Sequence, residues 1–327
     1  MKIHQSIYHI VIALVLYCSF ASAETAKRNM VFDCGGVLFH TNKRVSFQYL
    51  GILNVAELFI RQRINPAYLS HHIKTTLFVT LNAIAQEHNL DTTHLHQTYD
   101  EKGNQLPFLM CAWLQGTMTC TEIRNLIDTS IQTHPEWFTC HAEQRIITNL
   151  LSMIFTPEHF VNSQALSPAA FAFVKKCKKE GHNIYLLSNW DPESFALLKD
   201  KHPELFDLFD GIIISGNIKA NKPHQSIYDA LLNQYKLDPQ QCWFIDDQKE
   251  NVEAAQKLGI NAVVHSACFK KLVKDIKLTH SKSARRENLN NNGIKEIKTN
   301  TTNNAIIDGE NISLTDSTMY NCLPAKA

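Results

Sequence analysis

From residue 166 to residue 266 the chain alternates short apolar runs with longer amphipathic stretches. Asn183–Ser188 (NIYLLS), Gly211–Ser215 (GIIIS), Cys242–Asp246 (CWFID) and Asn261–His265 (NAVVH) are continuous rather than alternating, the pattern of strands buried on both faces. Asn29–Asp33 (NMVFD) is a fifth such run, far upstream and ending in an acid. The stretches between them carry helix signals. Ser167-Pro168 supplies an N-cap with proline at the first helical position, Phe171, Val174 and Cys177 share one face, and Gly181 is the stop. Asp191-Pro192 caps a second helix through Phe195, Leu197 and Leu198, Pro223 opens a third with Ile227, Leu231 and Tyr235 on its apolar side, and Glu250–Leu258 is a fourth, ended by Gly259. Strands separated by amphipathic helices predict an α/β fold, a parallel sheet covered on both faces.

Residues 41–165 interrupt this alternation. Ile146, Ile147, Leu150, Leu151 and Ile154 recur at helical spacing, Ala56–Ile60 fits a further helix, and Thr119 or Thr121 with Glu122 begins one through Ile123, Leu126 and Ile131. The ends differ from both regions. Residues 1–23 have a short basic head, an apolar run from Ile10 to Phe20 too short to span a bilayer, and Ala21-Ser22-Ala23 as a cleavage pattern. They predict a signal peptide, a mature chain starting near Glu24, a secreted or periplasmic location, and no stable membrane anchor after cleavage. Residues 278–327 are rich in Asn, Thr, Lys and Ser without apolar periodicity, which predicts a disordered tail.

Composition narrows the classes. The 327 residues are 44% hydrophobic, ample for a packed core, and a formal net charge of +1 argues against a nucleic-acid binder that works by bulk charge. The cysteines left after cleavage form no CxxC or CxxH pattern, so a zinc ribbon is not expected, while a disulfide among Cys111, Cys120 and Cys140 stays open. His71, His72, His88, His94 and His96 are read as solvated or core side chains, since residues two apart such as His94 and His96 do not share a helix face.

The chemistry-bearing residues sit at the carboxyl ends of strands, where open parallel sheets bind ligands. Asp33 follows MVF, Ser188 and Asn189 follow IYLL, Lys222 lies in the loop beyond IIIS, and Asp246 and Asp247 end WFI. Three acids brought together repel one another unless a cation offsets them. Mg²⁺ suits one or two carboxylates plus phosphate oxygens, and Ser188, Asn189 and Lys222 suit the remaining oxygens of a phosphoryl group. Such a set serves phosphoryl transfer to a carboxylate, followed by hydrolysis of the aspartyl-phosphate.

The segments VFDCGGVLF, LLSN, NKP and FIDDQKENVEAA, in that order, resemble the four motifs of the haloacid dehalogenase superfamily. They are most similar to the branch of the α-D-glucose-1-phosphate phosphatases and the phosphatase domain of soluble epoxide hydrolases. The resemblance spans about Met30–Ser266. It implies a Rossmann-like core over 24–40 and 166–277 and a helical cap over 41–165 that closes on the site and chooses the substrate. It also implies Asp33 as nucleophile and metal ligand, Ser188 and Asn189 as phosphate-binding, and Lys222 as the cation holding nucleophile and phosphate. Asp247 would be the acidic Mg²⁺ ligand, supported by Asp246, with Asn251 steadying the acidic loop.

One departure stands out. The family usually carries an aspartate, its general acid and base, two residues after the nucleophile. Here that position is Gly35, which keeps only a backbone carbonyl for the metal. General acid–base help is worth about 10²–10⁴ in rate, so the residue favours an easily departing alcohol or a donor from elsewhere, with His40, Asp191 and Glu193 as candidates. Glycine at this position also occurs in the glucose-1-phosphate branch. The expected activity is a Mg²⁺-dependent phosphatase acting on a small phosphorylated metabolite such as a sugar phosphate. The alternatives are a catalytically impaired secreted binding protein and, against the paired acids Asp246-Asp247, a metal-free dehalogenase.

Overall fold

The computed structural model describes residues 27–266, apart from Ile64 and Glu101. The expected signal peptide and tail lie outside the described residues. Five parallel strands form the central sheet: β1 (Asn29–Phe32), β4 (Asn183–Ser188), β5 (Gly211–Ile214), β6 (Cys242–Asp246) and β7 (Asn261–Val264), in the order β5-β4-β1-β6-β7. Phe32 stands level with Leu186 on one side and Ile245 on the other. The chain builds outward from β1 to β4 and β5, then crosses back to β6 and β7. The strand order therefore reverses at β1, the position where such sheets open a binding crevice.

Alternate side chains of the sheet supply two cores. Val31, Tyr185, Leu187, Ile213 and Phe244 pack with Ile227, Tyr228 and Leu231 of α12 (Gln225–Tyr235) and with Val252 and Ala255 of α13 (Lys249–Lys257). On the opposite face Phe32 meets Phe173 of α8 (Pro168–Lys179) edge-on at 6.1 Å and Phe209 at 6.4 Å. The N-terminal signals hold: Ser167 Oγ accepts from the Ala170 amide, and Asp191 caps α9 (Pro192–Lys201) by accepting from the Ser194 amide. One boundary moves. Pro223 does not open α12; His224 is its N-cap, accepting from the Ser226 amide, which leaves Lys222 and Pro223 in the preceding turn.

A two-stranded antiparallel ribbon, β2 (Phe39–Thr41) and β3 (Gln164–Leu166), forms a neck. Between its strands the described residues form helices and loops, with one isolated bridge of Tyr99 to Gln105: α1 (Lys43–Leu50), α2 (Ile52–Gln62), α3 (Leu69–Glu87), α4 (Phe108–Leu114), α5 (Cys120–Thr133), α6 (His141–Ile154) and α7 (Pro157–Asn162). These helices have their own core, centred on Leu58, Leu81, Ile84, Leu109, Ile123, Ile146, Ile147, Leu151 and Phe155. Thr119 rather than Thr121 begins α5, closing a capping box with Glu122. The 19-residue α3 escaped the sequence reading because its polar residues are spread around it rather than gathered on one face. No disulfide forms among Cys111, Cys120 and Cys140; all three are free, the first two buried as small apolar side chains of the helical core. Among the described residues no helix is long and apolar enough to cross a membrane.

Candidate active site

Three adjacent strands place the site. The β1 hydrogen bonding continues one residue past the strand, with the Asp33 amide donating to the Ile245 carbonyl at 2.9 Å, and this fixes Asp33 at the switch point. Ser188 ends β4 and Asp246 ends β6, so their side chains leave the sheet at the same edge. Lys222 reaches in from the turn before α12 and is buried to 1% exposure. Its Nζ lies 2.6 Å from Asp246 Oδ2 and 2.9 Å from Asp33 Oδ1, and donates to the Leu187 carbonyl at 3.0 Å. All three ammonium protons are thereby used, which is what a buried lysine needs to stay charged. Burial alone pushes the ammonium down, but Asp246 and Asp33 outweigh it and hold Lys222 above the ordinary lysine value.

The carboxylates play unequal parts. Asp246 is saturated: Oδ1 accepts from the Gln248 amide at 2.8 Å and from Asn251 at 3.1 Å, and Oδ2 takes Lys222. Asp33 Oδ1 accepts from the Cys34 amide at 2.7 Å, the Ser188 hydroxyl at 2.7 Å and Lys222. Oxygens of Asp33, Asp246 and Asp247 lie within 4.8 Å of one another. Burial raises Asp33 to about 6, with Lys222 opposing and Asp246 adding to the rise. Burial, Asp33 and Asp246 together raise Asp247 to about 7. Asp246 is thus a hub that orients Lys222 and Asn251, while Asp33 and Asp247 are the carboxylates left with ligating capacity. A hard divalent cation with oxygen ligands fits this donor set, because it offsets the repulsion that raises both groups.

All eight residues predicted from sequence meet at this edge of the sheet. Asn189 is half-buried; it accepts from the Lys222 amide at 2.7 Å and donates to the Lys222 carbonyl at 3.0 Å, so it fixes the lysine backbone on both sides. Gly35 lines the cavity without a side chain. The three proton-donor candidates do not line it. Asp191 is committed to capping α9, and Glu193 accepts from the Cys120 amide at 2.9 Å, tying α5 to the sheet domain.

Residues that the sequence reading passed over complete the site. A cavity of about 300 Å³ stands above Asp33, walled by Thr98, Tyr99 and Asp100 of the loop before α4, by α4 itself, and by Trp190. The Thr98 hydroxyl accepts from Asn189 at 3.0 Å. Further contacts seat the helices on the loop carrying Lys222. Ser215 donates to the Leu114 carbonyl at 2.5 Å, Asn221 donates to the Cys111 carbonyl at 3.1 Å, and the His96 and His224 rings stack with centroids 3.6 Å apart. The positive φ of Gly36 was signalled only by its place in a Gly-Gly pair.

The family model of the haloacid dehalogenase-like hydrolases matches residues 27–259. The sesquiterpene phosphatase astK of Aspergillus oryzae is 34% identical over 89 residues, covering 27% of this chain and 45% of that protein, so the chain spans less than half of this curated relative. Among solved structures, a haloacid dehalogenase family enzyme of Bacteroides thetaiotaomicron in complex with magnesium and inorganic phosphate is 17% identical at a TM-score of 0.44, covering 74% of this chain and 96% of that one. The L-2-haloacid dehalogenase of Xanthobacter autotrophicus is 15% identical at a TM-score of 0.40, covering 73% of this chain and 77% of that one.

Proposed function

The chain belongs to the haloacid dehalogenase-like hydrolases, and within that family we propose that it is a Mg²⁺-dependent phosphomonoesterase acting on a small organic phosphate through an aspartyl-phosphate on Asp33. One observation carries the reading: carboxylate oxygens of Asp33, Asp246 and Asp247 lie within 4.8 Å of one another, and Asp33 and Asp247 share a pocket floor with Ser188, Asn189 and a fully paired Lys222. A phosphatase among the relatives supports it.

Asp33 and Asp247, with the Gly35 carbonyl, would hold the metal. Bound there, Mg²⁺ neutralises the phosphoryl oxygens and keeps both aspartates ionised. Ser188 and Lys222 pin one Asp33 oxygen, which orients the carboxylate for attack on phosphorus. The new Asp33–phosphorus bond forms as the ester P–O bond breaks, and the alcohol oxygen leaves with the electron pair and takes a proton from cavity water. A second water then attacks the aspartyl-phosphate, returning Asp33 as carboxylate and releasing inorganic phosphate. The Lys222 charge offsets the phosphoryl charge throughout, and Asn189, bonded to the Lys222 backbone on both sides, keeps that lysine in place. With glycine at position 35, no side chain there serves as acid, so the departing alcohol oxygen takes its proton from water. The proposal includes export after loss of residues 1–23, tested by N-terminal sequencing of the mature protein.

The test is phosphate release from acetyl phosphate and p-nitrophenyl phosphate with Mg²⁺, compared between wild type and Asp33→Asn. Loss of the nucleophile should cost about 10³-fold or more in kcat. Equal turnover by both proteins would remove Asp33 from the chemistry, and no turnover by wild type would favour a binding protein that reuses the fold.

A further inference from the structure

The cavity has two unlike ends. Its floor is the charged set around Asp33. Its roof is hydrocarbon: Leu106, Met110, Leu114, Ile154 and Phe160 line it from the helical side, opposite Trp190 of the sheet domain. The five roof residues are half-buried, and four of them (Met110, Leu114, Ile154 and Phe160) pack behind against the core of the helical domain, so the area they leave uncovered opens toward the cavity. The rings of Trp113 and Phe160 meet edge-on at 5.1 Å, and Phe160 lies 5.4 Å from Trp190, an aromatic bridge from one domain to the other.

Three polar side chains on the helical side of the cavity, Thr98, Gln164 and Asp100, are already engaged. The Thr98 hydroxyl takes Asn189, and Gln164 donates to the Ser163 hydroxyl at 3.0 Å. Asp100 accepts from Lys74, from the Lys102 and Asn104 amides and from the Asn104 side chain, and these bonds outweigh burial to hold it at about 2. Against Leu106, Met110, Leu114, Ile154 and Phe160 a sugar hydroxyl would lose water without gaining a partner. A hydrocarbon loses nothing polar there and gains about 25 cal/mol for each Å² it covers.

We infer that the substrate is the monophosphate ester of an apolar, chain-like or terpenoid alcohol, with the phosphate on Asp33 and the hydrocarbon under Met110, Leu114 and Phe160. This choice of substrate class rests on the phosphatase reading and replaces the sugar phosphate expected from sequence. The specificity then comes from the helical domain, the part of the chain whose sequence offered no motif.

The test uses the purified protein with Mg²⁺ and three substrates: farnesyl monophosphate, glucose 1-phosphate, and acetyl phosphate as a reporter too small to reach the roof. The inference expects kcat/KM for farnesyl monophosphate to exceed that for glucose 1-phosphate by about 100-fold or more, since several methylenes are involved and each is worth about 10-fold or more in such a pocket. Met110→Gln and, separately, Phe160→Asn should each lower the ratio of farnesyl to acetyl turnover by about 10-fold. Glucose 1-phosphate turned over as well as farnesyl monophosphate, by a protein that hydrolyses acetyl phosphate, overturns the inference and leaves the phosphatase standing. Failure to hydrolyse any of the three overturns both.

Discussion

A β-carbon on Gly36 would fall 2.1 Å from Asp247 Oδ2, so the backbone after the nucleophile and the acid that follows β6 fit together only because one of them has no side chain. Gly36 also has φ +71°, a region an L side chain enters at a cost of about 1–2 kcal/mol. Gly36→Ala is therefore expected to swing the Asp247 carboxylate out of the cluster. The measurement is Mg²⁺-dependent phosphate release together with thermal melting. Activity should fall about 100-fold or more, in line with a lost metal or electrostatic contact, while the fold is retained. Unchanged metal dependence would mean that Asp247 is not a ligand.

Lys222 is the one cation among the buried acids of the cluster, within 3 Å of both Asp33 and Asp246. Lys222→Met leaves both carboxylates buried and uncompensated, which should cost about 3–5 kcal/mol and lower Tm by about 10 °C. Adding Asp246→Asn removes one orphaned charge. The double variant should melt above the single variant and stay inactive, so a Tm equal to the sum of the two separate losses would argue against the coupling.

Asp247 is costly before metal binds, since burial and its neighbours raise it to about 7. Asp247→Asn removes a charge that the metal-free protein disfavours. In EDTA its Tm should equal or exceed that of wild type, whereas added Mg²⁺ should raise the wild-type Tm and leave the variant unmoved. A variant that still gains stability from Mg²⁺ would place the ion elsewhere.

Burial first, and then the stacked His224 ring, lower the pKa of His96. A histidine whose folded pKa is depressed contributes stability that is present above its unfolded value of about 6.5 and is lost as pH falls through that value toward the folded one. The Tm advantage of wild type over His96→Gln should therefore shrink between about pH 7.5 and about pH 5. The variant pair cancels titrations common to both proteins. An advantage that grows on acidification would contradict the assignment.

Some of this was legible in the residues alone. Continuous apolar runs such as IYLL and CWFI needed no tertiary information, because a strand buried on both faces writes an unbroken pattern. Each run ends at the sheet edge, so Asp33, Ser188, Asp246 and Asp247 followed with it. The start of α12 was less legible. Pro223 looked like a first helical position, but the N-terminal amides went to His224 instead.

What the sequence by itself determined is the parallel sheet and the set of polar groups along its carboxyl edge, since both follow from local patterns of a few residues. Only the tertiary structure decided how those groups divide their work and what lies above them. That Asp246 is consumed by Lys222 and Asn251, that Thr98 meets Asn189, and that an apolar roof faces the carboxylates all depend on residues brought together across distant stretches of chain. The last two are set by how the segment between Lys43 and Asn162 seats on the sheet. Packing of that kind is satisfied by many hydrophobic sequences of similar volume, so it leaves no spacing or motif for the eye to find.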